Sequence, residues 1–145
     1  DLVGRVLTPA EVEAYVSSTD PDKRAKLVDH LLASPGFVRF QAQQFDTMLN
    51  STVAGDDRRQ GSVRDYLQAA LKDGKSWDAI FRDLLLPPPA DPKGKGSPAA
   101  FLRARVKDAD RLTNDVSVAF FGVNVSCAQC HDHPLVADWT QEHFY

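Results

Sequence analysis

Residues 20 to 49 read DPDKRAKLVDHLLASPGFVRFQAQQFDTML, and this stretch carries the clearest structural signal in the chain. Twice in it a helix-capping residue is followed at once by proline, at Asp20-Pro21 and at Ser34-Pro35. Proline is favoured at the first helical position because the N–H that it lacks would have no partner there. Apolar residues recur behind each start at three- and four-residue spacing, as in an amphipathic helix. They are Ala25, Val28, Leu31 and Leu32 in the first helix, and Phe37, Phe40, Phe45, Met48 and Leu49 in the second. The stretch therefore predicts two consecutive helices.

Similar helix starts recur along the rest of the chain. Thr8-Pro9-Ala10-Glu11 is a capping box that leads into Val12 and Val16 on one helix face. Further helices are predicted from about Val63 to Lys72, from Ser76 to the prolines at Pro87, from Ala99, and from about Asp108 to Phe121, where Gly122 ends the last one. In the helix after Ser76, the residues Trp77, Ile80, Phe81, Leu84 and Leu85 are predicted to face inward.

The remaining pattern excludes a sheet. Residues 50 to 61 have no apolar period and are predicted to form an exposed loop. No run of alternating residues is long enough for a strand, and no βαβ spacing occurs. The sequence therefore predicts an all-α fold of about six or seven short helices with a cysteine-containing segment near its C-terminus.

Length and composition fit one globular domain. The chain has 145 residues, of which 43% are hydrophobic and 26% charged, so we predict a single domain over residues 1 to 145. A segment near residues 87 to 98 is rich in proline, glycine and lysine and is predicted to be a surface linker within that domain.

The net charge of −3 argues against nucleic acid as a partner. The longest nearly apolar run, Val116 to Val125, is about half as long as a membrane span, so none is predicted in this segment.

The two cysteines of the chain lie three residues apart and are followed at once by a histidine, in Cys127-Ala128-Gln129-Cys130-His131. Cys-X-X-Cys-His is the arrangement used for covalent attachment of haem c. Each thiol can form a thioether to a vinyl-derived carbon of the porphyrin, and the adjacent histidine then lies beneath the iron as its proximal ligand. The other ring nitrogen of His131 should donate to a carbonyl oxygen. The segment predicts a haem site made by Cys127, Cys130 and His131.

Three other interpretations of the cysteine pair stay open. Cys127 and Cys130 could form a local disulfide or a structural pair. A thioredoxin-like dithiol has the same spacing, but it needs a βαβ context that this sequence lacks. A zinc site could combine both cysteines with one or two of His131, His133 and His143, although structural zinc sites usually separate their ligand pairs by a longer loop. We prefer haem because it accounts for the cysteine spacing and the adjacent histidine together.

The ligand on the opposite side of the iron is less clearly marked. His133 cannot oppose His131, because residues two positions apart span at most about 7 Å of extended chain. It can instead flank the haem, bond a propionate or bind a different ion. His143 lies far enough along the chain to reach the opposite face, and Met48, the only methionine, could supply a thioether. An open position or a ligand from a partner chain is a further option.

Several stretches of the chain together resemble a known family. They are Leu31-Leu32-Ala33-Ser34-Pro35, Ser76-Trp77-Asp78 with Arg82-Asp83-Leu84-Leu85, and Phe121-Gly122-Val123 with Cys127-Ala128-Gln129-Cys130-His131-Asp132-His133-Pro134. With Asp138-Trp139 and His143-Phe144-Tyr145, they resemble a planctomycete-specific cytochrome domain family of unknown function, which bears one CxxCH motif and occurs in large secreted bacterial proteins. The resemblance covers most of the chain and implies a covalent haem and export.

The chain departs from that family at places that bear on the sixth ligand. Members often have a tryptophan-rich segment with a histidine after the Ser-Pro pair, whereas residues 40 to 45 read FQAQQF here. His143 stands where many members have an acidic residue, so a ligand role for it would be peculiar to this chain. Members also continue further, which implies that Tyr145 is not a natural C-terminus and that the chain is a fragment of a longer secreted protein.

Taken together, these features predict a c-type cytochrome module that carries electrons rather than an enzyme. Its partner would be a redox protein or a neighbouring haem domain. Because bacteria attach haem c outside the cytoplasm, the expected location is periplasmic or extracellular. Two alternatives stay open: a haem enzyme or sensor whose iron keeps a position for O₂ or peroxide, and a structural module held together by zinc. The sequence leaves oligomerisation, the redox potential and the role of His133 open.

Overall fold

The computed structural model describes residues 2–53, 55–87, 97–132, 136 and 140–144, with the backbone alone for residue 143. Within these residues the chain forms helices and turns and no strand, so the all-α prediction is confirmed. The α-helices are α1 (Pro9–Ser17), α2 (Lys23–Leu32), α3 (Pro35–Leu49), α4 (Gly55–Gln60), α5 (Arg64–Lys72), α6 (Trp77–Leu85), α7 (Ala100–Arg103) and α8 (Ala109–Val116). A π-helical turn (Ser117–Phe121) continues α8, and 3₁₀ turns span Ser126–Gln129 and Gln141–His143.

Local capping explains where the first three helices begin. The Thr8 hydroxyl accepts from the Glu11 N–H at 3.3 Å, and the Glu11 carboxylate accepts from the Thr8 N–H at 2.7 Å, which is the predicted capping box. The Ser34 hydroxyl caps α3 in a similar way, by accepting a backbone N–H at 3.2 Å. α2 begins after Asp22 rather than at its proline, because the Asp20 carboxylate accepts from the Asp22 N–H at 2.8 Å and holds a turn there.

The prediction of an exposed loop at residues 50 to 61 is wrong in part, because α4 lies within it. Every residue of α4 is exposed, so the helix has no apolar face that could mark it in the sequence. Its charges nevertheless suit a helix. Asp56-Asp57 lie in the first turn and Arg58-Arg59 in the last, where they interact favourably with the two ends of the helix dipole.

The hydrophobic core forms where α3 packs on α5 and α6 packs on α7. Its buried side chains are Ala42, Leu49, Val63, Leu67, Ala70, Ile80, Leu84, Ala100 and Phe101. Val116 from α8 and Ala119 and Phe120 from the π-helical turn pack against this core. The segment that leads to the cysteines is therefore anchored on the core of the protein.

Aromatic rings join α6 to the π-helical turn. The centre of the Phe120 ring lies 4.8 Å from that of Phe81, 5.8 Å from that of Phe101 and 6.0 Å from that of Trp77, distances at which ring pairs attract. Ile80 and Leu84 are buried as predicted, but Trp77 is 39% exposed. As the first residue of α6 it lies at the edge of the cluster, where one side of its ring meets Phe120 and Phe45 and the rest meets solvent.

The apolar residues predicted on one face of α1 lie at the surface. Val12 is 45% exposed and Val16 is 70% exposed, and α1 has no buried residue. α2 also buries none, and its Val28 and Leu32 are both exposed. Periodicity shows which residues share a helix face, but it does not show whether anything covers that face.

A buried polar network around Arg105 joins α3, α7 and α8. The Arg105 side chain is fully buried just after α7. Its Nε donates to Asp115 Oδ2 at 2.9 Å. Nη1 donates to the Phe101 carbonyl at 3.0 Å and to Asn50 Oδ1 at 3.3 Å, and Nη2 donates to the Leu49 carbonyl at 2.5 Å. Since these partners come from distant parts of the chain, Arg105 fixes the helices relative to one another.

Asp115 supplies the opposite charge for this network. Its Oδ2 also accepts from the Thr52 hydroxyl at 2.8 Å, and Arg111 Nε lies 3.8 Å from the same oxygen. Burial lowers the pKa of Arg105, while the hydrogen bond and the charge of Asp115 raise it. Because the ordinary pKa of a guanidinium is very high, Arg105 stays protonated and the contact is an ion pair.

Gly61 lies where the backbone passes close to this network. A Cβ at this position would lie 2.8 Å from Ala104 Cβ and 3.1 Å from Asn50 Oδ1. We therefore expect Gly61→Ala to lower the free energy of unfolding by about 1–3 kcal/mol, the usual cost of overpacking. Urea denaturation of both proteins measures the difference.

Gly36→Ala is the matched control for this prediction. Its added Cβ would come no closer than 3.4 Å to any neighbouring atom, which is an ordinary contact. We expect the control to leave the free energy of unfolding unchanged or to raise it by up to about 1 kcal/mol, because alanine restricts the unfolded chain more than glycine does. Equal stabilities of the two variants would contradict the crowding at Gly61.

The predicted surface linker near residues 87 to 98 lies mostly outside the described residues. At its end, Ser97 is buried and accepts a hydrogen bond from Arg103 Nη2 at 3.2 Å, so this residue lies in the protein interior. The single-domain prediction over residues 1 to 145 stays a prediction. Across the described part of the chain, no helix combines the length and the apolar character that crossing a membrane requires.

Candidate functional site

The cysteine segment follows α8 and its π-helical turn. Asp108 caps α8 by accepting from the Arg111 N–H at 2.9 Å. The turn ends, as predicted, at Gly122, whose φ of +68° lies in the left-handed region that glycine adopts without strain. After Gly122 the chain runs back to the start of α8. There Gln129 Nε2 donates to Asp110 Oδ2 at 2.5 Å.

The CxxCH motif itself begins as a 3₁₀ turn that is anchored by its second residue. Asn124 Oδ1 accepts from the N–H of Ser126 at 3.0 Å and from its hydroxyl at 2.6 Å, which starts the turn. The Ala128 N–H donates to the Val125 carbonyl at 2.9 Å, and Ala128 is fully buried. The Cys127 carbonyl accepts the backbone N–H of His131 at 3.4 Å. A buried alanine thus fixes the turn, while Cys127 and Cys130 stay exposed.

A second 3₁₀ turn, Gln141–His143, holds the motif from its other side. Gln141 Nε2 donates to the Gln129 carbonyl at 3.2 Å, and the Gln141 N–H donates to Asp132 Oδ1 at 3.1 Å. Phe144 follows this turn and is 4% exposed. The motif is therefore held between the first turn of α8 and a C-terminal segment that is itself anchored in the interior.

Both thiols and the imidazole of the motif are accessible. Cys127 and Cys130 are exposed and unbridged. His131 is exposed, and its Nδ1 lies 2.7 Å from the Asp132 carbonyl oxygen. A carbonyl can only accept, so this contact requires the proton on Nδ1, and in the neutral imidazole Nε2 then carries the lone pair. The carbonyl partner expected for His131 is present.

The candidates for the opposite ligand are placed as follows. Met48 is on α3, is 44% exposed, and lines a groove of about 110 Å³ with residues of α8 and the π-helical turn. None of the motif residues lines that groove. The side chain of His143 and all of His133 and Trp139 lie outside the described residues. His30 is exposed on α2.

The motif offers the donor set that a covalent haem requires. Two free thiols on one turn and an imidazole with an available Nε2 can make two thioethers and one axial bond. Among the described residues, no three His, Cys, Asp or Glu side chains converge as a metal cluster would require. The alternative zinc site could also use His133 or His143 as a ligand, and the side chains of both lie outside the described residues.

The residues that support the motif could not be identified from the sequence. Gln129 occupies a variable position of CxxCH, and its partner Asp110 lies nineteen residues earlier in the chain. Asp132 and Gln141 are likewise ordinary surface residue types that become partners only after folding. Only the motif itself has a spacing that signals chemistry.

Comparison with known protein families gives a match over the whole chain. The family model PSCyt2, described as a protein of unknown function (DUF1549), matches residues 1–145. No curated protein and no solved structure matches the chain.

Proposed function

Because this chain belongs to PSCyt2, a cytochrome-like family of unknown function, over its whole length, we propose that it is a c-type cytochrome module that holds one haem covalently and transfers electrons. The observation that carries the proposal is the accessible thiol pair beside an imidazole whose Nδ1 is bonded to the Asp132 carbonyl. Haem supplies one-electron exchange at its iron.

The motif residues fall into two groups: those that would hold the haem and those that orient the turn. The Sγ atoms of Cys127 and Cys130 would hold haem through thioether bonds to its two vinyl groups, and each thiol proton would go to the neighbouring vinyl carbon, so no oxidant is needed. Nε2 of His131 would bind the iron. Ala128 and Gln129 are positioning residues, since burial of the first and the Asp110 contact of the second orient the turn.

Location and partners belong to the same proposal. Haem attachment to a CxxCH motif requires export, so we place the module in the periplasm or outside the cell. The exposed motif suits brief encounters with a redox protein or a neighbouring haem domain, because such contacts are usually small.

Potentiometric titration of the matured protein tests electron transfer. We expect one reversible single-electron transition, followed at the visible haem bands. An irreversible response, or no response, would contradict the proposal. Carbon monoxide binding by the reduced protein would instead favour the open-iron enzyme or sensor, and a colourless protein containing zinc would favour the structural module.

His131→Ala tests the axial ligand. The variant loses the imidazole bond to iron, so we expect the Soret band of the ferric holoprotein to move and the yield of holoprotein to fall. His30→Ala removes an exposed histidine on α2 and should leave both unchanged. Identical spectra for His131→Ala and the parent protein would show that His131 is not the ligand.

A further inference from the structure

An apolar groove with a cationic rim lies between the α2–α3 junction and α5. Its volume is about 640 Å³, and its apolar walls include Leu32, Pro35, Phe37, Val38 and Leu71. Arg39 and Lys72 also line it, both are exposed, and no acidic residue does. A groove of this size and composition suits an apolar occupant that carries negative charge.

α1 has the complementary character. Val12 and Val16 are four residues apart, share one face and are exposed, and α1 buries no residue. α1 contains Glu11 and Glu13 and no basic residue. Glu11 is held by Arg5 at 2.6 Å and by the capping box, whereas Glu13 is exposed beside Val12. The cap keeps α1 helical, while the described residues cover its apolar face only in part.

Within one copy, α1 does not line the groove. Lys23, at the start of α2, donates to the Ser18 carbonyl at 3.0 Å, which holds the C-terminal end of α1 there. Before α1, Gly4 passes close to the Phe40 ring of α3, which holds the other end. Because α1 is held outside the groove at both ends, the helix that enters the groove comes from another molecule.

We infer that α1 of a second copy of this chain occupies the groove, with Val12 and Val16 between its apolar walls and Glu13 beside Arg39 and Lys72. Apolar anchors at i and i+4 are the usual means by which a helix binds a groove. Each copy carries both the helix and the groove, so a symmetric dimer makes the contact twice. This inference does not depend on haem.

Two short contacts produce a modest interface. Specific stable interfaces bury roughly 1,200–2,000 Å² in total, and one nine-residue helix cannot supply that area alone. The dimer should therefore depend on protein concentration. It should also weaken with added salt, because opposite exposed charges are screened.

Sedimentation equilibrium of the full chain tests the inference. We expect a concentration-dependent dimer, with the dissociation constant raised about tenfold or more by Val16→Asp and also by Arg39→Glu combined with Lys72→Glu. Arg58→Glu, an exposed charge reversal on α4, is the control and should leave the constant unchanged. Circular dichroism confirms that each variant is folded. A wild-type chain that stays monomeric at all concentrations, or a dimer that these variants do not weaken, would overturn the inference.

Mixing the two variants provides a second test. Val16→Asp keeps an intact groove and the double charge variant keeps an intact α1, so the mixture restores one of the two contacts. We expect the mixture to form more dimer than either variant alone at the same total concentration. No gain on mixing would overturn the inference, because a dimer through any other surface has no reason to respond in this way.

Discussion

Replacing Cys127 and Cys130 together with alanine is expected to abolish covalently retained haem. The two Sγ atoms are the only thiols of the chain, so no thioether can form without them. His131 alone could hold haem through a coordinate bond, but acid or denaturant breaks such a bond. The measurement is visible absorbance at the Soret band after denaturation and removal of free haem. We expect complete loss in the double variant.

Single variants and a neighbouring control make this result specific. Cys127→Ala and Cys130→Ala each leave one thioether, so each should retain haem at reduced yield and with altered visible bands. Ser126→Ala removes a hydroxyl from the same turn but keeps the bond from the Ser126 N–H to Asn124, so it should retain haem at the parent level. Haem that stays on the denatured double variant would exclude the cysteines as the attachment points.

Arg105→Ala is expected to lower the free energy of unfolding by about 3–5 kcal/mol, the cost of removing one partner of a buried ion pair. Asp115 is 5% exposed and would keep only the Thr52 hydroxyl and the more distant Arg111 as partners. The Leu49 and Phe101 carbonyls would each lose a donor. This is a large fraction of the stability of an ordinary domain. Urea denaturation followed by circular dichroism measures it.

Arg59→Ala is the matched control for Arg105. Arg59 pairs with Asp56 on α4, but both side chains are more than three-quarters exposed. A surface pair of this kind contributes about 0–1 kcal/mol, so the control should unfold close to the parent protein. Similar losses in the two variants would contradict a structural role for the Arg105 network.

Much of the helical framework could be predicted because its signals are local. The capping box of Thr8 and Glu11, the Ser34 cap and the glycine end at Gly122 each depend on residues within one turn. α4 escaped prediction because all its residues are exposed and it has no apolar face to mark it. α1 forms as its apolar period predicted, but its apolar face is not buried. Whether a helix face is buried depends on which other elements pack against it.

The Arg105 network shows a second limit of sequence reasoning. Arginine is usually a surface residue, and nothing in its neighbourhood along the chain marks Arg105 as buried. Its partners Leu49 and Asn50 lie more than fifty residues away. Such a network exists only once α3, α7 and α8 have packed together.

In the candidate site, too, the local features could be predicted from the sequence and the long-range contacts could not. The spacing of Cys127, Cys130 and His131 is local and carries its chemistry in the sequence. The contacts that orient the motif are not local: Gln129 bonds Asp110, and Gln141 bonds both Gln129 and Asp132. For the opposite ligand, Met48 and His143 stay candidates. No motif residue lines the groove at Met48, and the side chain of His143 lies outside the described residues.

Intact mass under denaturing conditions tests the central claim most directly. The protein is produced with a bacterial cytochrome c maturation system, exported, purified and unfolded before mass measurement. We predict a chain heavier by the mass of one haem, with neither Cys127 nor Cys130 available to a thiol reagent. A chain of unmodified mass with both thiols reactive would contradict covalent haem attachment at this motif.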